Sequence, residues 1–331
     1  MSKQKILALL KQTEGYLSGG EVSRQLGISR AAVWKAIDGL RQEGYTIDSV
    51  TNRGYRLVES PDRLTEGEIL PDLNTRRVAK RLEVFPVIDS TNNYLKREAQ
   101  NGLPDGTAVV ADQQTGGRGR LGRSFASPEG KGIYFSLLLR PEVPPAQAVN
   151  LTAYVAVAVC DGIEAATGLR PRIKWTNDII MNDHKVCGIL TEMAIEGESG
   201  ALQYVIPGIG VNVNQTEADW PEELRPIAGS IAQAVGHPVP RGHLAACLLN
   251  ALDRMYCDWL AGNRQPYLEQ YRRDCITLGR EVRLVRPGGE EATATAVAVD
   301  DQFGLVVRYP DGREETVTSG EVSVRGLYGY V

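Results

Sequence analysis

Apolar residues recur at helical spacing from the start of the chain, where Ile6, Leu7, Leu9 and Leu10 predict a helix over residues 3–12. A second helix over about 20–26 ends at Gly27, and Ser29 is placed to cap a third over about 30–43. Val33, Ile37 and Leu40 give that third helix one buried stripe and leave Arg30, Trp34, Lys35 and Arg41 on its other side. Two strand-like runs, 45–50 and 55–58, meet at the tight-turn sequence Asn52-Arg53-Gly54. Three helices followed by a hairpin make a winged helix-turn-helix.

After the polar, proline-containing stretch 59–63 the pattern becomes mixed. A strand is predicted over 81–88, a helix opens at Ser90-Thr91-Asn92 and runs towards Gln100, and strands follow at 107–111 and 133–139. The next helix, 146–167, has so little polar face that it belongs in the core, and Gly168 stops it. Strands at 178–180 and 185–192 flank a turn at 181–184, and another at 203–206 leads into a segment marked by Gly208 and Gly210. That segment either packs closely and turns Asn212 towards a ligand or forms a glycine-marked bulge. Amphipathic helices at 241–260 and 267–273 close this part. Beyond 278 only short strands and turns remain, with strands at 281–285, 294–299, 304–309, 315–317 and 321–324 and turns at 287–289 and 310–312. That is the pattern of a small SH3-like β-barrel. The expected class is α+β: a winged helix-turn-helix over 1–63, a mixed α/β domain over 64–275 and an SH3-like C-terminal domain over 276–331.

A length of 331 residues accommodates these three units. Charged residues at 24% and hydrophobic residues at 42% are those of an ordinary globular chain, and a formal net charge of -4 excludes a wholly basic nucleic-acid coat. Residues 1–63 differ, with ten Lys/Arg against seven Asp/Glu, a net of +3 that suits a DNA-facing module. Its candidate DNA contacts are Ser29, Arg30, Trp34, Lys35 and Arg53. The five cysteines form no C-x-x-C pair, so neither zinc nor a disulfide framework is implied and a reduced, cytoplasmic setting is expected. A signal core and a long apolar run are both missing from the pattern, so no membrane is expected as a partner.

The densest chemistry lies in residues 111–123, Ala-Asp-Gln-Gln-Thr-Gly-Gly-Arg-Gly-Arg-Leu-Gly-Arg, between two predicted strands. Glycines let backbone approach a ligand, while Arg118, Arg120 and Arg123 bring fixed positive charge and forked donors suited to phosphate or carboxylate. Gly117, Gly119 and Gly122 match G-x-G-x-x-G, but that dinucleotide motif must open a helix and this one leads to a strand. A Walker loop is missing altogether. Downstream, Lys174 and Lys185 flank a Trp-Thr-Asn-Asp corner, a combination fit to hold phosphates, with a carboxylate able to help place a hard metal. His237 and His243 have no spacing that would make them metal ligands.

Gly117-Arg-Gly-Arg-Leu-Gly-Arg123, Lys174-Trp-Thr-Asn-Asp178 and Lys185-Val-Cys-Gly-Ile-Leu190, in this order behind a winged helix, resemble the family of bifunctional biotin-protein ligases that also repress the biotin operon. The resemblance covers the whole chain. It implies that ATP and biotin form biotinyl-5'-AMP, and that a lysine of a biotin carboxyl carrier protein then takes the biotin. This chemistry asks for positioning and cationic stabilisation rather than a protein nucleophile. By the same resemblance Ser90, Thr91, Asn92, Gln114, Gly117, Arg118, Gly119, Arg120 and Lys185 hold biotin, Arg120 and Lys185 being catalytic. Arg123, Phe125, Lys174, Asn177, Asp178 and Asn212 serve the nucleotide. No dedicated metal site is implied, and Mg²⁺ arrives with ATP near Asp178. The proline often found between Trp and Asn in the family is Thr176 here. Regulation is implied to run through a homodimer of the adenylate-bound form on operator DNA. Two other classes share parts of this pattern: a lipoate or octanoate acyltransferase of the same fold, and a biotin-sensing transcription factor without turnover.

Overall fold

The structure, a computed structural model, describes residues 2–286, 289–318 and 323–326. Helices α1 (Ser2–Gln12), α2 (Gly19–Leu26) and α3 (Arg30–Gln42) and the hairpin β1 (Thr46–Val50) and β2 (Gly54–Glu59) form the N-terminal unit. Ser18 and Ser29 cap α2 and α3 through their hydroxyls, and Gly27 takes the left-handed turn between them at φ 64°. Ile6, Leu7, Leu10, Val33, Ile37 and Leu40 make its core.

Short α4 (Glu66–Ile69) leads to β3 (Leu82–Ile88), α5 (Thr91–Ala99), β4 (Thr107–Gln114) and β5 (Gly132–Leu138). Then come α6 (Pro145–Ala148), α7 (Leu151–Thr167), β6 (Arg172–Lys174), β7 (Asp178–Met181), β8 (His184–Ile195) and β9 (Leu202–Asn212). Helices α8 (Ile231–Val235), α9 (Arg241–Leu260) and α10 (Gln265–Asp274) complete the central unit. Its seven-stranded sheet has the order β3-β4-β5-β9-β8-β7-β6, with β3 and β4 parallel and every other pair antiparallel. Helices α7 and α9 cover one face with the main core, while α5 packs Leu95 and Ala99 on the other, against Val109, Leu138 and Ile206.

Three expectations change. The helix over 146–167 is two pieces, because Val149 and Asn150 form a turn; an asparagine at that point starts a new helix rather than continuing one. Strand β4 runs on to Gln114, since Gln113 and Gln114 pair with Val87 and Ile88, so the loop begins at Thr115. The 203–212 segment is one unbroken strand through Pro207, in register with β5 from Gly208 to Asn212 and with β8 from Gly208 to Val211, so no bulge lies at the glycines. The stretch Pro145–Thr167 is long and apolar enough to cross a membrane, but its most apolar window is 67% buried in this fold, as a core helix is.

The C-terminal unit is a five-stranded antiparallel sheet of β10 (Glu281–Val285), β11 (Glu291–Val299), β12 (Leu305–Arg308), β13 (Glu314–Val317) and β14 (Ser323–Gly326), ordered β13-β12-β11-β10-β14. Of the turn predicted at 287–289 and the strand at 321–324, residues 287–288 and 321–322 lie outside the described residues. The Phe303 ring stands edge-on to Tyr154 and Tyr271, with centroids 4.9 and 5.2 Å away, which plugs this sheet into the central core.

Helices α7 and α9 pack backbone to backbone at Gly162, where an added Cβ would lie 2.7 Å from Leu248 Cα. Backbone cannot step aside as a flexible side chain can. Gly162→Val is therefore expected to destabilise the fold by about 1–3 kcal/mol through overpacking, read as a lowered Tm in thermal denaturation. An unchanged Tm would mean that the two helices do not meet there.

Candidate functional site

Antiparallel register sets three glycines side by side on the face of the sheet that α5 shares. Gly210 stands opposite both Tyr134 and Gly188, and Gly208 opposite both Ser136 and Leu190. A Cβ on Gly208 would fall 2.2 Å from Asn92 Oδ1, and one on Gly210 would fall 2.5 Å from the Phe125 ring. The missing side chains leave floor space, and a cavity of about 440 Å³ opens over it. That volume is in the range of cofactor-sized sites.

One wall of the cavity is a hydrogen-bonded polar row at the N-terminus of α5. Ser90 caps the helix, and the backbone N–H and hydroxyl of Thr91 face Gln114 Oε1 at 2.9 and 3.2 Å. Ser136 Oγ lies 2.6 Å from Thr91 Oγ1 and donates to Asn92 Oδ1 at 2.5 Å, while Asn92 Nδ2 donates to Glu192 Oε2 at 2.7 Å. Ser136 and Glu192 were not singled out from the sequence. A serine within an otherwise apolar and aromatic strand was the available signal for the first; Glu192 carried none.

The Gly/Arg loop folds back over the floor. Phe125 N–H donates to Gly117 O at 2.9 Å and Gly119 N–H to Arg123 O at 2.7 Å, closing a tight hairpin in which Gly122 takes φ 73°. Gly117 has no room for a side chain, since a Cβ would meet Phe125 O at 2.5 Å. The Phe125 ring rests over Gly188 and Gly210 and stands edge-on to Tyr134 at 6.4 Å. Burial pushes the Tyr134 phenol well above its usual range and keeps it a neutral donor, to Pro128 O at 3.2 Å.

The opposite wall is the corner between β6 and β7, where the Trp175–Thr176 peptide is cis. Arg120 reaches across to it, with Nη1 2.7 Å from Asn177 Oδ1 and 3.2 Å from Thr176 Oγ1. Lys185 Nζ pairs with Asp178 Oδ1 at 2.6 Å, and buried Lys174 lines the same side. The corner is braced from behind: Trp175 Nε1 donates to Phe303 O at 2.8 Å and Tyr271 Oη to Thr176 O at 3.1 Å. Val324 of β14 also reaches the cavity.

Thirteen of the fifteen site residues expected from the sequence in this domain thus line one cavity; Gly117 and Asn212 do not. Gly117 acts through the loop's own packing. Asn212 is buried with its Nδ2 on Gly229 O at 3.0 Å and Lys185 O at 3.3 Å, so it steadies the strand carrying Lys185. Five cations and two carboxylates line the cavity among the described residues, which makes it an anion site. No cluster of three or more His, Cys, Asp or Glu fit for a metal occurs among the described residues. Burial pushes the Cys187 thiol beside the cavity far up, which removes it as a nucleophile. A Cys247–His243–Asp72 row does exist between α9 and the segment after α4, with Sγ 3.6 Å from Nε2 and Nδ1 2.7 Å from Oδ2. It lines no part of the cavity, and burial holds its thiol above the usual value.

In the N-terminal unit Ser29, Arg30, Trp34, Lys35 and Arg53 are all exposed, Trp34 at 60%. Arg53 and Arg56 flank the Tyr16 ring at 5.3 and 5.0 Å.

Residues 84–212 match the biotin/lipoate A/B protein ligase family, residues 2–56 an HTH domain and residues 277–325 the biotin protein ligase C-terminal domain. The chain is 40% identical over 297 residues to the bifunctional ligase/repressor BirA of Bacillus spizizenii, covering 90% of each. It is 32% identical to the bifunctional ligase/repressor BirA of Escherichia coli, over 97% of this chain and 96% of that one. The biotin protein ligase of Aquifex aeolicus in complex with biotin and ATP superposes with a TM-score of 0.63 at 30% identity, over 75% of this chain and 99% of that one.

Gly208→Ala is expected to displace the Asn92 amide and strand its partners, costing about 1–3 kcal/mol. Gly197→Ala, where a Cβ meets nothing within 4 Å, serves as the neutral control. Equal Tm values for the two variants would contradict the tight floor.

Proposed function

The chain belongs to the biotin/lipoate A/B protein ligase family, among its bifunctional ligase/repressors, and on that footing we propose how this cavity carries out ATP-dependent biotinylation and its control. The protein is a biotin-protein ligase: biotin and ATP are its substrates, and a carrier-protein lysine accepts the biotin. The observation that carries the residue-level reading is the meeting of Arg120 with the Thr176–Asn177 corner beside the Lys185–Asp178 pair.

The polar row of Ser90, Thr91, Asn92 and Gln114 offers the alternating donors and acceptors that a ureido ring requires, over a glycine floor that accepts a flat fused ring. Arg118 and Gly119 would wrap the acyl-phosphate, while Arg120 and Lys185 stand where the biotin carboxylate meets the α-phosphorus. As the carboxylate oxygen bonds to phosphorus and pyrophosphate leaves, these two cations stabilise the added charge. Lys174, Arg123 and Asn177 then serve the phosphates, and Phe125 offers a ring face. Asn212 acts indirectly, by fixing the backbone at Lys185. Asp178 is the one carboxylate on the corner able to take a Mg²⁺ that arrives with the nucleotide, which would supply charge neutralisation at the leaving phosphates. In the second step the carrier lysine attacks the biotinyl carbonyl and AMP leaves. These steps belong in the cytoplasm, where ATP, carrier and operator meet.

Arg120→Ala should reduce biotin-dependent ATP–pyrophosphate exchange about 100-fold or more, since it removes a donor aimed at developing charge. Retained exchange would sink the assignment, and exchange with lipoate but not biotin would sink the substrate.

For the repressor role, Ser29, Arg30, Trp34, Lys35 and Arg53 are proposed to face operator DNA, with units divided near residues 63 and 275. Dimerisation is proposed on the sheet's rear face. A second hollow of about 550 Å³ there is lined by Val149 and Met193 and shares Arg120 with the site. Val149 is 61% exposed and Ile195, farther along β8, is 50% exposed. Loop ordering by the adenylate therefore acts at the rim of this apolar face. Biotin with ATP is expected to shift sedimentation from monomer to dimer and tighten operator binding, and Met193→Asp should abolish both. If neither changes in the unaltered chain, the regulatory reading fails.

A further inference from the structure

Arg241, the first residue of α9, is 1% exposed, the most deeply buried cation described. Its partners come from three separate segments. Nε donates to Asp62 Oδ2 at 2.9 Å and Nη2 to Asp62 O at 3.0 Å; Nη1 pairs with Asp112 Oδ1 and donates to Gly132 O at 3.1 Å. Its own backbone N–H donates to Asp62 Oδ1 at 3.0 Å. A guanidinium taken this far from water needs both carboxylates to stay.

Each segment has a separate task. Asp112 sits two residues before Gln114 of the polar row, and its Oδ1 also accepts the Gly130 N–H at 3.1 Å. Asp112, Gly130 and Gly132 are therefore the two feet of the Gly/Arg loop, tied across its mouth. Asp62 lies in the stretch joining the winged helix to the central unit, where Asn214 Nδ2 also holds it at 2.9 Å. The same junction is seated by Gln4 Oε1 on Gly67 N–H at 3.0 Å and by Lys11 on Glu68 at 2.5 Å.

We infer that Arg241 is a positioning residue for the adenylation site: it holds the mouth of the Gly/Arg loop through Asp112 and Gly132, and through Asp62 it makes the loop's order depend on the seating of the DNA-binding unit. It touches neither substrate. Without the Asp62 carboxylate the guanidinium keeps only the Asp62 carbonyl in the interdomain stretch, a weaker hold, and shares its charge with Asp112 alone. The loop's feet loosen, and substrate must then spend binding energy to order the loop. This inference rests on the ligase reading above.

The test uses the full-length chain with Asp62→Ala, because Arg241→Met risks simple unfolding; Asp62→Asn, which keeps the shape, is the second variant. Loop order is read by limited trypsin cleavage after Arg118, Arg120 and Arg123 with biotin present. Steady-state biotin transfer to carrier protein separates KM from kcat. Asp62→Ala is expected to raise the KM for biotin roughly ten-fold, the scale reached by residues that act indirectly, with kcat nearly kept. Cleavage in the loop should accelerate while cleavage elsewhere does not, and Asp62→Asn should fall between. Unchanged KM and loop cleavage in Asp62→Ala would overturn the inference, as would a general rise in cleavage along the whole chain. An inactive unaltered chain would instead refute the ligase reading, so the two failures are distinguishable.

Discussion

The cavity exists because strands β5, β9 and β8 pair in one particular antiparallel register. That register brings Gly208 and Gly210 beside Gly188 on one face of the sheet, and it sets Ser136 next to them. A slip of one residue would turn Ile209 and Ile189 onto this face and close it. Everything else in the site takes its position from the cleared floor. The Asn92 amide reaches Ser136 and Glu192 by crossing Gly208, and the Phe125 ring lies over Gly188 and Gly210.

Around that floor, the charged groups come from elements that are distant in sequence yet arrive together by simple topology. The Gly/Arg loop joins β4 to β5 in the middle of the sheet, while the Lys174–Asp178 corner joins β6 to β7 at its edge. Arg120 closes the gap between them. The corner is in turn held by Phe303 of the C-terminal unit and by Tyr271 of α10. The small sheet at the end of the chain is thus part of the scaffold of the site, and its Val324 reaches the cavity itself.

Much of this was legible in the chain. The winged helix was readable because the stripe of Val33, Ile37 and Leu40, the Ser29 cap and the Asn52-Arg53-Gly54 turn all agree locally. Arg118 and Arg120 were readable because three arginines crowd one glycine-rich loop, and Lys174 and Lys185 because they flank the Trp-Thr-Asn-Asp corner. What escaped depends on pairing at a distance. Ser136 and Glu192 join the polar row through Asn92, 44 and 100 residues away. The strand character of Gln113 and Gln114 comes from parallel pairing with β3, which no local pattern records. Asn212 illustrates the converse: its residue type invited a ligand, but burial turned its amide onto backbone. Arg241 looked like an ordinary helix-start residue, and only the fold reveals how many segments it gathers.

A floor made of backbone also bears on drug resistance. An inhibitor resting on Gly188, Gly208 and Gly210 would contact surface that mutation can alter only by adding atoms. A side chain added at Gly208 or Gly210 would strike Asn92 or the Phe125 ring, which shape the site for the natural substrate, so escape at those positions would carry its own loss of fitness. Compounds that lean instead on Phe125 or on the arginines of the loop would leave the organism side chains to trade away.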